Sequence, residues 1–274
     1  MLLHMIVDGK TIAEEIYAEL GSRISRAHLT LGLISAGESA VTRSFVNLKK
    51  RVAQRLGVTM RHEELSSSAS TGDVIDAIAA LSPSVNGLIV QLPLPKTVHA
   101  ETVFLAMPSE RDVDALNYTA PEKDPLVLPP VVAAILEILK RTRVEVSGKR
   151  TVVLGEGRLV GAPAATVLKE RGANVSVVTR SKGNTRDLLR ADIIVSGVGS
   201  PHLIKPEMIK DGVVLIDAGT SESGGSVVGD ADPACAKKAS VFTPVPGGVG
   251  PIAVAMIFKN LLALAEHGQE AQAL

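Results

Sequence analysis

The sequence predicts an α/β protein of two domains, each built around a parallel β-sheet. The chain has 274 residues, and a single domain usually spans about 100–200 residues. Short apolar strands alternate with helical patterns over roughly the first 115 residues, which favours a parallel sheet covered by helices. A second series of short strands, with a glycine-rich turn after its first member, runs from residue 149 to residue 244. That second pattern is typical of a doubly wound nucleotide-binding domain.

The composition fits a globular protein and argues against several classes of partner. Hydrophobic residues make up 46% of the chain and charged residues 21%, so disorder is not expected. The 29 basic residues are balanced by 29 acidic ones, which leaves no excess positive charge for nucleic acid. The first ten residues lack the basic region of a signal peptide, and no uncharged apolar stretch approaches the ~20 residues of a membrane span. We therefore expect a cytoplasmic protein that binds neither nucleic acid nor membrane.

The cysteine and histidine patterns argue against a disulfide and a metal site. Cys235 is the single cysteine and has no partner within the chain. The 6 histidines are scattered, and none forms a ligand pair at the usual spacing. We expect no bound metal ion.

The first domain is predicted to alternate helices and strands. The first helix carries an apolar residue at every fourth position from Ile12 to Ile24, which places these side chains on one face. The last strand is stopped by Pro93 and Pro95. The predicted helices cover residues 11–28, 39–56 and 72–81, and the predicted strands cover residues 30–35, 58–62 and 87–91.

A long apolar helix over residues 126–143 is expected to connect the two domains. It is opened by Pro129 and Pro130, and proline is tolerated there because the first amides of a helix have no partner within it. We assign residues 1–125 to the first domain and residues 126–250, with the connector helix at 129–143, to the second. The C-terminal segment 251–274 is expected to complete the first domain by packing back on it.

The second domain has five candidate strands. One helix of this domain is predicted over residues 162–171, and a further helix is predicted over residues 251–266, in the C-terminal segment that we assign to the first domain. The strands are predicted over residues 151–154, 174–179, 192–196, 213–217 and 241–243.

A glycine-rich turn after the first of these strands is the strongest local signal for a ligand. Gly155, Gly157 and Gly161 lie between a strand and a helix. Glycine permits a tight turn and close backbone approach, and the helix N-terminus presents amides to a pyrophosphate. The alternative is a strand–helix turn that binds nothing.

The end of the next strand favours NADP over NAD. Sites that prefer NAD usually place an acidic residue there for the ribose hydroxyl, whereas this chain has Arg180, Ser181 and Lys182. Arginine can bind the oxygens of a 2′-phosphate in pairs. Glu156, inside the glycine turn, argues the other way because its charge would repel a nearby phosphate.

Five strings in this order resemble the bifunctional methylenetetrahydrofolate dehydrogenase/methenyltetrahydrofolate cyclohydrolases over nearly the whole chain. Two of them, at 90–95 and 244–251, are unusual sequences, and their order around a nucleotide turn is specific. The strings are VDGK at 7–10, VQLPLP at 90–95, RDVDALN at 111–117, GEGRLVGAP at 155–163 and PVPGGVGP at 244–251.

The resemblance implies a catalytic lysine and two supporting residues. Lys49 falls at the catalytic lysine position, four residues after Phe45, which replaces the family's tyrosine. Gln91 matches the glutamine that hydrogen-bonds near the lysine, and Asp114 matches the aspartate that holds the pterin ring. Taken by themselves, these residues could equally be a surface lysine, a polar residue at a sheet edge and a turn residue.

Further contacts are expected on the same basis. The folate-binding residues would include Phe45, Pro93, Gly247 and Gly248 beside the catalytic three. The cofactor-binding residues would be Gly155, Glu156, Gly157, Val160, Gly161, Arg180, Ser181, Gly197 and Thr220. The family's turn usually reads Gly-Arg-Ser, so Glu156 stands where an arginine commonly meets the 2′-phosphate.

The resemblance implies two activities on tetrahydrofolate one-carbon derivatives and a homodimer formed through the nucleotide domain. The activities are NADP-dependent oxidation of 5,10-methylenetetrahydrofolate and hydrolysis of the methenyl product to 10-formyltetrahydrofolate. Three alternatives stay open: a dehydrogenase of similar layout on another substrate, such as a shikimate-dehydrogenase-like enzyme; a nucleotide-sensing protein without catalysis; and a family member with one activity only.

Overall fold

The computed structural model describes residues 4–37, 40–118, 126–223 and 225–272. The chain forms two compact units, each with its own parallel sheet. We call Met1–Glu14 with Val131–Met256 the six-stranded unit, and Glu15–Pro130 with Ile257–Leu274 the three-stranded unit.

The secondary structure is numbered in chain order. The strands are β1 (Met5–Ile6), β2 (Thr30–Ala36), β3 (Thr59–Leu65), β4 (Gly87–Val90), β5 (Arg150–Leu154), β6 (Asn174–Val178), β7 (Ile193–Ser196), β8 (Val214–Asp217), β9 (Ser221–Ser223), β10 (Ser226–Val228) and β11 (Val241–Phe242). The helices are α1 (Gly9–Ala27), α2 (Ala40–Leu56), α3 (Thr71–Leu81), α4 (Ala100–Ala106), α5 (Pro130–Arg141), α6 (Gly161–Glu170) and α7 (Val249–Gln272). Short 3-10 helices cover Ser82–Ser84, Thr185–Arg190, Pro206–Met208 and Pro233–Lys237.

The three-stranded unit contains a parallel sheet in the order β3-β2-β4. The central strand β2 is buried along nearly its whole length, whereas the edge strand β3 alternates between exposed and half-buried residues. A central strand is covered on both faces and therefore reads as a continuous apolar run. The sheet ends in β4, which leads directly into Gln91.

Helix α3 is fixed at its start by a capping box. The Ser70 hydroxyl accepts a hydrogen bond from the Asp73 amide, and the Asp73 carboxylate accepts one from the Ser70 amide. This reciprocal pair satisfies two amides that the helix leaves free. The apolar face of α3 then packs in one cluster with residues of β2, β4 and α4, including Ile34, Leu88 and Phe104.

The six-stranded unit contains a parallel sheet in the order β1-β11-β8-β7-β5-β6. The chain moves outward from β5 to β6 and then returns past β5 to β7, so the direction of winding reverses between β5 and β7. Nucleotides bind at such a switch point, beyond the carboxyl ends of the strands. The predicted two-domain α/β fold with parallel sheets is confirmed.

The connector helix is shorter than predicted. It covers Pro130–Arg141 rather than residues 126–143 or 129–143, because the residue before a proline disfavours helical geometry. At the other end Arg143 adopts a left-handed backbone with φ of 55°. Helices α1, α2, α3, α6 and α7 and most strands lie within a few residues of their predicted bounds. The predicted start of α2 at Ser39 and the domain boundary at 125 lie outside the described residues.

The sequence did not predict four of these strands and helices. Strand β1 is only 2 residues long and pairs in parallel with β11, which places it in the six-stranded unit. Helix α4 covers 7 residues, and β9 and β10 form a short antiparallel ribbon. Elements of this length are too short to show a periodic apolar pattern.

Within the described residues, one helix is long and apolar enough to cross a membrane by length and composition. The stretch is Val249–Gln269 in α7, and 72% of its most apolar part is buried inside the protein. A helix that belongs to a protein core has the same composition.

Candidate active site

Lys49 is buried in the three-stranded unit, with 8% of its surface exposed. It lies on α2, and its Nζ donates a hydrogen bond of 2.7 Å to Gln91 Oε1. Gln91 is held in turn by two further bonds: its backbone amide donates to Ile34 O at 2.8 Å, and its Nε2 donates to Leu92 O at 2.8 Å. Because Nε2 donates to Leu92, the oxygen of the amide is the atom turned towards Lys49.

The surroundings of Lys49 make its amine more acidic than that of an ordinary lysine. Burial lowers the pKa of Lys49 because the charged form loses water, and the negative charge of Asp114 opposes this effect. A lysine with a lowered pKa can supply a neutral amine, which is able to accept a proton.

Asp114 lies on a loop that is held from two sides. The amide of Leu88 on β4 donates to Arg111 O at 2.6 Å. On the other side, Asn260 Nδ2 on α7 donates to Val113 O at 2.9 Å and to Leu128 O at 2.8 Å. Burial raises the pKa of Asp114, and the nearby Lys49 lowers it. The loop therefore places a carboxylate where it balances the charge of Lys49.

Gly87 is required for this loop to approach the sheet. A Cβ at Gly87 would lie 2.4 Å from Val113 Cγ1 and 2.8 Å from Leu261 Cδ1, well inside van der Waals contact. The absence of a side chain at Gly87 lets both the loop and α7 pack against β4.

Asp112, two residues before Asp114, is buried without full hydrogen bonding. Its Oδ2 accepts a bond of 2.7 Å from the Leu116 amide, while its Oδ1 has no partner among the described residues. Burial, and then the charge of Asp114, raise the pKa of Asp112 to about 7. Below about pH 7 the carboxyl of Asp112 therefore keeps its proton in the folded protein.

The raised pKa of Asp112 predicts a pH-dependent gain in stability for Asp112→Asn. From the ordinary pKa of 3.8 to about 7 the folded state keeps a proton that the unfolded state releases, so stability of the wild-type chain falls as pH rises through this window. Asparagine does not titrate in this range, so the stability of the variant does not fall for this reason. We expect its apparent melting temperature to exceed the wild-type value by roughly 3–6 °C at pH 8, with a smaller difference at pH 5.

Thermal unfolding of both chains from pH 5 to pH 8 measures this difference. Asp76→Asn, a change at an exposed aspartate of α3, is the matched control and should show no such trend. A difference that stays constant over the whole range would contradict a proton on Asp112.

The other predicted folate-binding residues lie in both units. Phe45 is one helical turn before Lys49 on α2 and has 38% of its surface exposed, and Pro93 follows Gln91 and Leu92 in a cis peptide bond. Gly247 and Gly248 belong to the six-stranded unit. There the Gly9 amide donates to Gly247 O at 2.9 Å.

Two glycines of the nucleotide turn, the glycine-rich segment 155–161, are required by the backbone. Gly155 follows β5 with a φ of +93°, a conformation that glycine adopts without strain. A Cβ at Gly161 would lie 2.2 Å from Gly155 O, and a Cβ at Gly197 would lie 2.5 Å from Val160 Cγ1. At Gly157 the same position is open space. The turn after β5 and the loop after β7 therefore pack closely at the switch point.

This edge of the sheet fits a nucleotide cofactor. The N-cap residue of α6 is Val160, which gives the first turn no side-chain hydrogen bond. The positive end of the helix is thus available to an anion such as a pyrophosphate. Thr220 follows β8 at the same edge, and a Cβ at Gly199 in the β7 loop would lie 3.5 Å from Thr220 O.

The negative charge of Glu156, which is predicted to repel a nearby phosphate, is partly balanced by a lysine. Lys182 Nζ lies 3.2 Å from Glu156 Oε1. The turn that carries Lys182 is closed by a bond of 2.8 Å from the Thr179 amide to Lys182 O. Arg180 and Ser181 are exposed on that turn. Two cationic side chains, those of Arg180 and Lys182, therefore lie on one turn with the hydroxyl of Ser181. These groups are suited to binding a 2′-phosphate.

The structure brings Lys49, Gln91 and Asp114 together, and it gathers the predicted cofactor residues at one edge of the other sheet. Sequence reasoning did not assign Asp112 or Asn260, which shape the Asp114 loop. Asp112 stands in the quoted RDVDALN string, but nothing in the sequence marks its burial. Among the described residues no group of His, Cys, Asp and Glu could hold a metal ion.

Two family models match the chain. Residues 7–114 match the catalytic domain of tetrahydrofolate dehydrogenase/cyclohydrolase, and residues 129–269 match its NAD(P)-binding domain. The bifunctional protein FolD of Lactobacillus delbrueckii subsp. bulgaricus is 36% identical, with 96% of this chain and 98% of the relative aligned. FolD of Methanoculleus marisnigri is 35% identical over 96% of each chain.

Solved structures show the same similarity. The methylenetetrahydrofolate dehydrogenase-cyclohydrolase of Trypanosoma brucei, complexed with NADP cofactor and an inhibitor, superposes with a TM-score of 0.91 at 30% identity, covering 98% of this chain and 99% of that one. The enzyme of Campylobacter jejuni gives a TM-score of 0.89 at 29% identity, with coverage of 96% and 99%.

Proposed function

The chain belongs to the tetrahydrofolate dehydrogenase/cyclohydrolase family, and from this premise we propose how its residues perform the two reactions of that family. The enzyme oxidises 5,10-methylenetetrahydrofolate to the methenyl form with NADP and hydrolyses the methenyl form to 10-formyltetrahydrofolate. The observation that carries the assignment of residues is the buried Lys49, hydrogen-bonded to Gln91 at 2.7 Å. No observation favours the shikimate-dehydrogenase-like alternative.

The dehydrogenase reaction needs positioning more than proton transfer. Bound NADP would supply the acceptor for the hydride that leaves the methylene carbon of the folate. Gly155, Gly161 and Gly197 allow the backbone to approach the cofactor, and Asp114 accepts N–H bonds from the amino-pyrimidine edge of the pterin. The product is a cation shared by two nitrogens, so no side chain has to remove a proton in this step.

The cyclohydrolase reaction requires a base and then an acid. Water adds to the methenyl carbon, and its proton goes to the neutral amine of Lys49 while Gln91 holds that amine in place. The ammonium then donates a proton to ring nitrogen N5, the C–N5 bond breaks, and the hydroxyl proton of the adduct passes to water as the C=O bond forms. The formyl group stays on N10, and one proton is released overall. Because burial lowers the pKa of Lys49, its neutral amine is more available than that of an ordinary lysine, and the same group can accept the proton and return it.

Phe45 supplies an aromatic surface without a hydroxyl. The family's tyrosine offers both, and phenylalanine retains only the flat ring that can stack on the folate. Its partial exposure, one turn before Lys49 on α2, suits this role. The proton transfers of this enzyme therefore depend on Lys49, Gln91 and water.

The pair of Lys182 and Glu156 predicts how the preference for NADP can be increased. In Glu156→Gln a negative charge near the 2′-phosphate is removed and Lys182 is released to bind it. We expect the KM for NADP to fall by about threefold to tenfold while the KM for NAD changes little. Initial-rate measurements with both cofactors test this, and Glu170→Gln, at the exposed end of α6, is the control. An equal change for both cofactors would contradict a role for Glu156 in selecting the phosphate.

Absorbance changes of one sample test both activities. NADPH formation follows the oxidation of the methylene substrate, and loss of the methenyl chromophore follows the hydrolysis. Purified wild-type chain should catalyse both reactions, with a higher kcat/KM for NADP than for NAD. Activity in only one assay would identify a family member with a single function, and activity in neither would overturn the proposal.

We also propose that the enzyme is a cytoplasmic homodimer formed through the nucleotide domain. Resemblance to the family supports the dimer, and the free, buried Cys235, which is compatible with a reducing compartment, supports the location. On the basis of the same resemblance, we assign the folate domain to the three-stranded unit and the NADP domain to the six-stranded unit. Light scattering in solution determines whether the dimer forms.

A further inference from the structure

Asp230 is a fully buried carboxylate that the two reactions do not use. Its surface is 0% exposed. In the chain, it follows strand β10 and precedes strand β11. Three donors surround it: Ser196 Oγ at 2.6 Å and the Val198 amide at 2.8 Å bind Oδ2, and the Ser200 amide at 2.7 Å binds Oδ1. All three donors belong to the end of β7 and the loop that follows it.

The same carboxylate contacts the loop after β8. A Cβ at Gly219 would lie 2.2 Å from the Asp230 carboxylate, so only glycine lets that loop pass so close. One buried side chain therefore lies against both the loop after β7 and the loop after β8. Since an unsatisfied buried carboxylate is costly, these bonds define where the β7 loop can lie.

The β7 loop in turn lies against the nucleotide turn. A Cβ at Gly197 would overlap the Val160 side chain, and a Cβ at Gly155 would lie 3.4 Å from Gly197 O. Because the amides of Val198 and Ser200 are turned inward to Asp230, the Val198 side chain is left partly exposed on the loop. The shape of this part of the nucleotide edge thus depends on a residue more than 30 positions further along the chain.

A second buried aspartate braces the opposite side of this arrangement. The Asp217 carboxylate, at the end of β8, accepts bonds from the Gly219 amide at 2.9 Å and the Ala231 amide at 2.7 Å. The second bond fixes the backbone next to Asp230. Burial first, and the charge of Asp230 as a lesser cause, raise the pKa of Asp217 to about 6.

We propose that Asp230 is a positioning residue for the cofactor: its carboxylate holds the β7 loop in the shape that receives NADP. It touches neither folate nor the reacting atoms, so it acts on cofactor affinity through the loop. This inference rests on the proposed NADP-dependent function. Part of what determines the affinity for NADP therefore lies outside the glycine turn.

Two variants of the full chain test this role. Asp230→Asn keeps the size of the side chain but turns an amino group towards donors, and Ser196→Ala removes one donor while the carboxylate stays. We expect the Kd for NADP, measured by calorimetry, to rise at least about tenfold in Asp230→Asn and about threefold in Ser196→Ala. Cyclohydrolase activity, which needs no hydride acceptor, should stay within about twofold of wild type in both. Asp232→Asn, at an aspartate paired with Lys205 at 3.1 Å, is the control and should bind NADP normally.

Three outcomes would overturn this inference. Unchanged NADP affinity in both variants would show that the loop keeps its shape without these bonds. An equal loss of cyclohydrolase activity and NADP binding would show a general loss of structure; if Asp230→Asn does not fold, normal affinity in Ser196→Ala rejects the role. A wild-type chain that fails to bind NADP would instead overturn the proposed function itself.

Discussion

Replacing Lys49 by methionine is expected to lower cyclohydrolase turnover by about 10²–10⁴-fold, the usual contribution of a general acid or base. Methionine matches the length of the buried lysine stem but cannot accept or return a proton. Gln91 Oε1 also loses the donor that lies 2.7 Å from it. The dehydrogenase reaction should decline much less, by about tenfold or below, because hydride transfer requires no proton to be removed. The two absorbance assays on one sample give both values.

Lys50→Met is the matched control for this change. Lys50 is the next residue on α2 but is exposed, so the same loss of charge there should leave both activities near wild type. Cyclohydrolase activity of Lys49→Met equal to that of Lys50→Met would rule out Lys49 as the proton-transferring group.

The pH dependence gives a second readout of the same residue. The neutral amine is the base, so the wild-type cyclohydrolase rate should rise with pH until Lys49 has lost its proton. Burial lowers the pKa of Lys49, so the rise should be complete at lower pH than for an ordinary lysine. In Lys49→Met this rise should disappear.

The second large effect is expected for Asp114→Asn, which should raise the KM for both folate substrates by about 10–100-fold. A carboxylate can accept two N–H bonds from the pterin edge. In asparagine the NH2 group replaces one of the two accepting oxygens and faces an N–H of the pterin, so one hydrogen bond is lost. Hydrogen bonds to charged groups contribute about 1.5–3 kcal/mol each. The KM for NADP should stay unchanged, because Asp114 belongs to the three-stranded unit and the nucleotide turn to the six-stranded unit.

The same variant should also move the pH profile of the cyclohydrolase. The charge of Asp114 raises the pKa of Lys49 against the effect of burial, so its removal lets the pKa of Lys49 fall further. The rise of the rate with pH is therefore expected at lower pH than in the wild-type enzyme. Steady-state kinetics across pH measure both effects.

Glu110→Gln is the control for Asp114→Asn, since Glu110 is exposed on the same segment and the substitution is chemically equivalent. It should change neither the KM for folate nor the pH profile. An Asp114→Asn enzyme with wild-type KM for both folate substrates would remove Asp114 from the folate site.

Local patterns were sufficient to predict most of the architecture. The apolar runs of β2 and β5, the fourfold spacing on α1 and the prolines at 93 and 130 report directly on backbone geometry, because each acts through neighbouring residues in the chain. The glycine turn at 155–161 was recognisable for the same reason, since strand, turn and helix are consecutive. What escaped prediction was short, such as Met5–Ile6, whose strand exists only because β11 lies beside it.

The sequence by itself thus determined the family, the order of elements and the identity of Lys49, Gln91 and Asp114 as candidates. Only the tertiary structure decided their environment. Lys49 is buried and hydrogen-bonded to Gln91, Asp112 has one oxygen without a partner in the described part of the chain, and Lys182 lies beside Glu156. Asp230 is the clearest case, because its three donors lie 30 to 34 residues away in the chain. Burial and charge coupling depend on distances in space, and a sequence pattern records only distances along the chain.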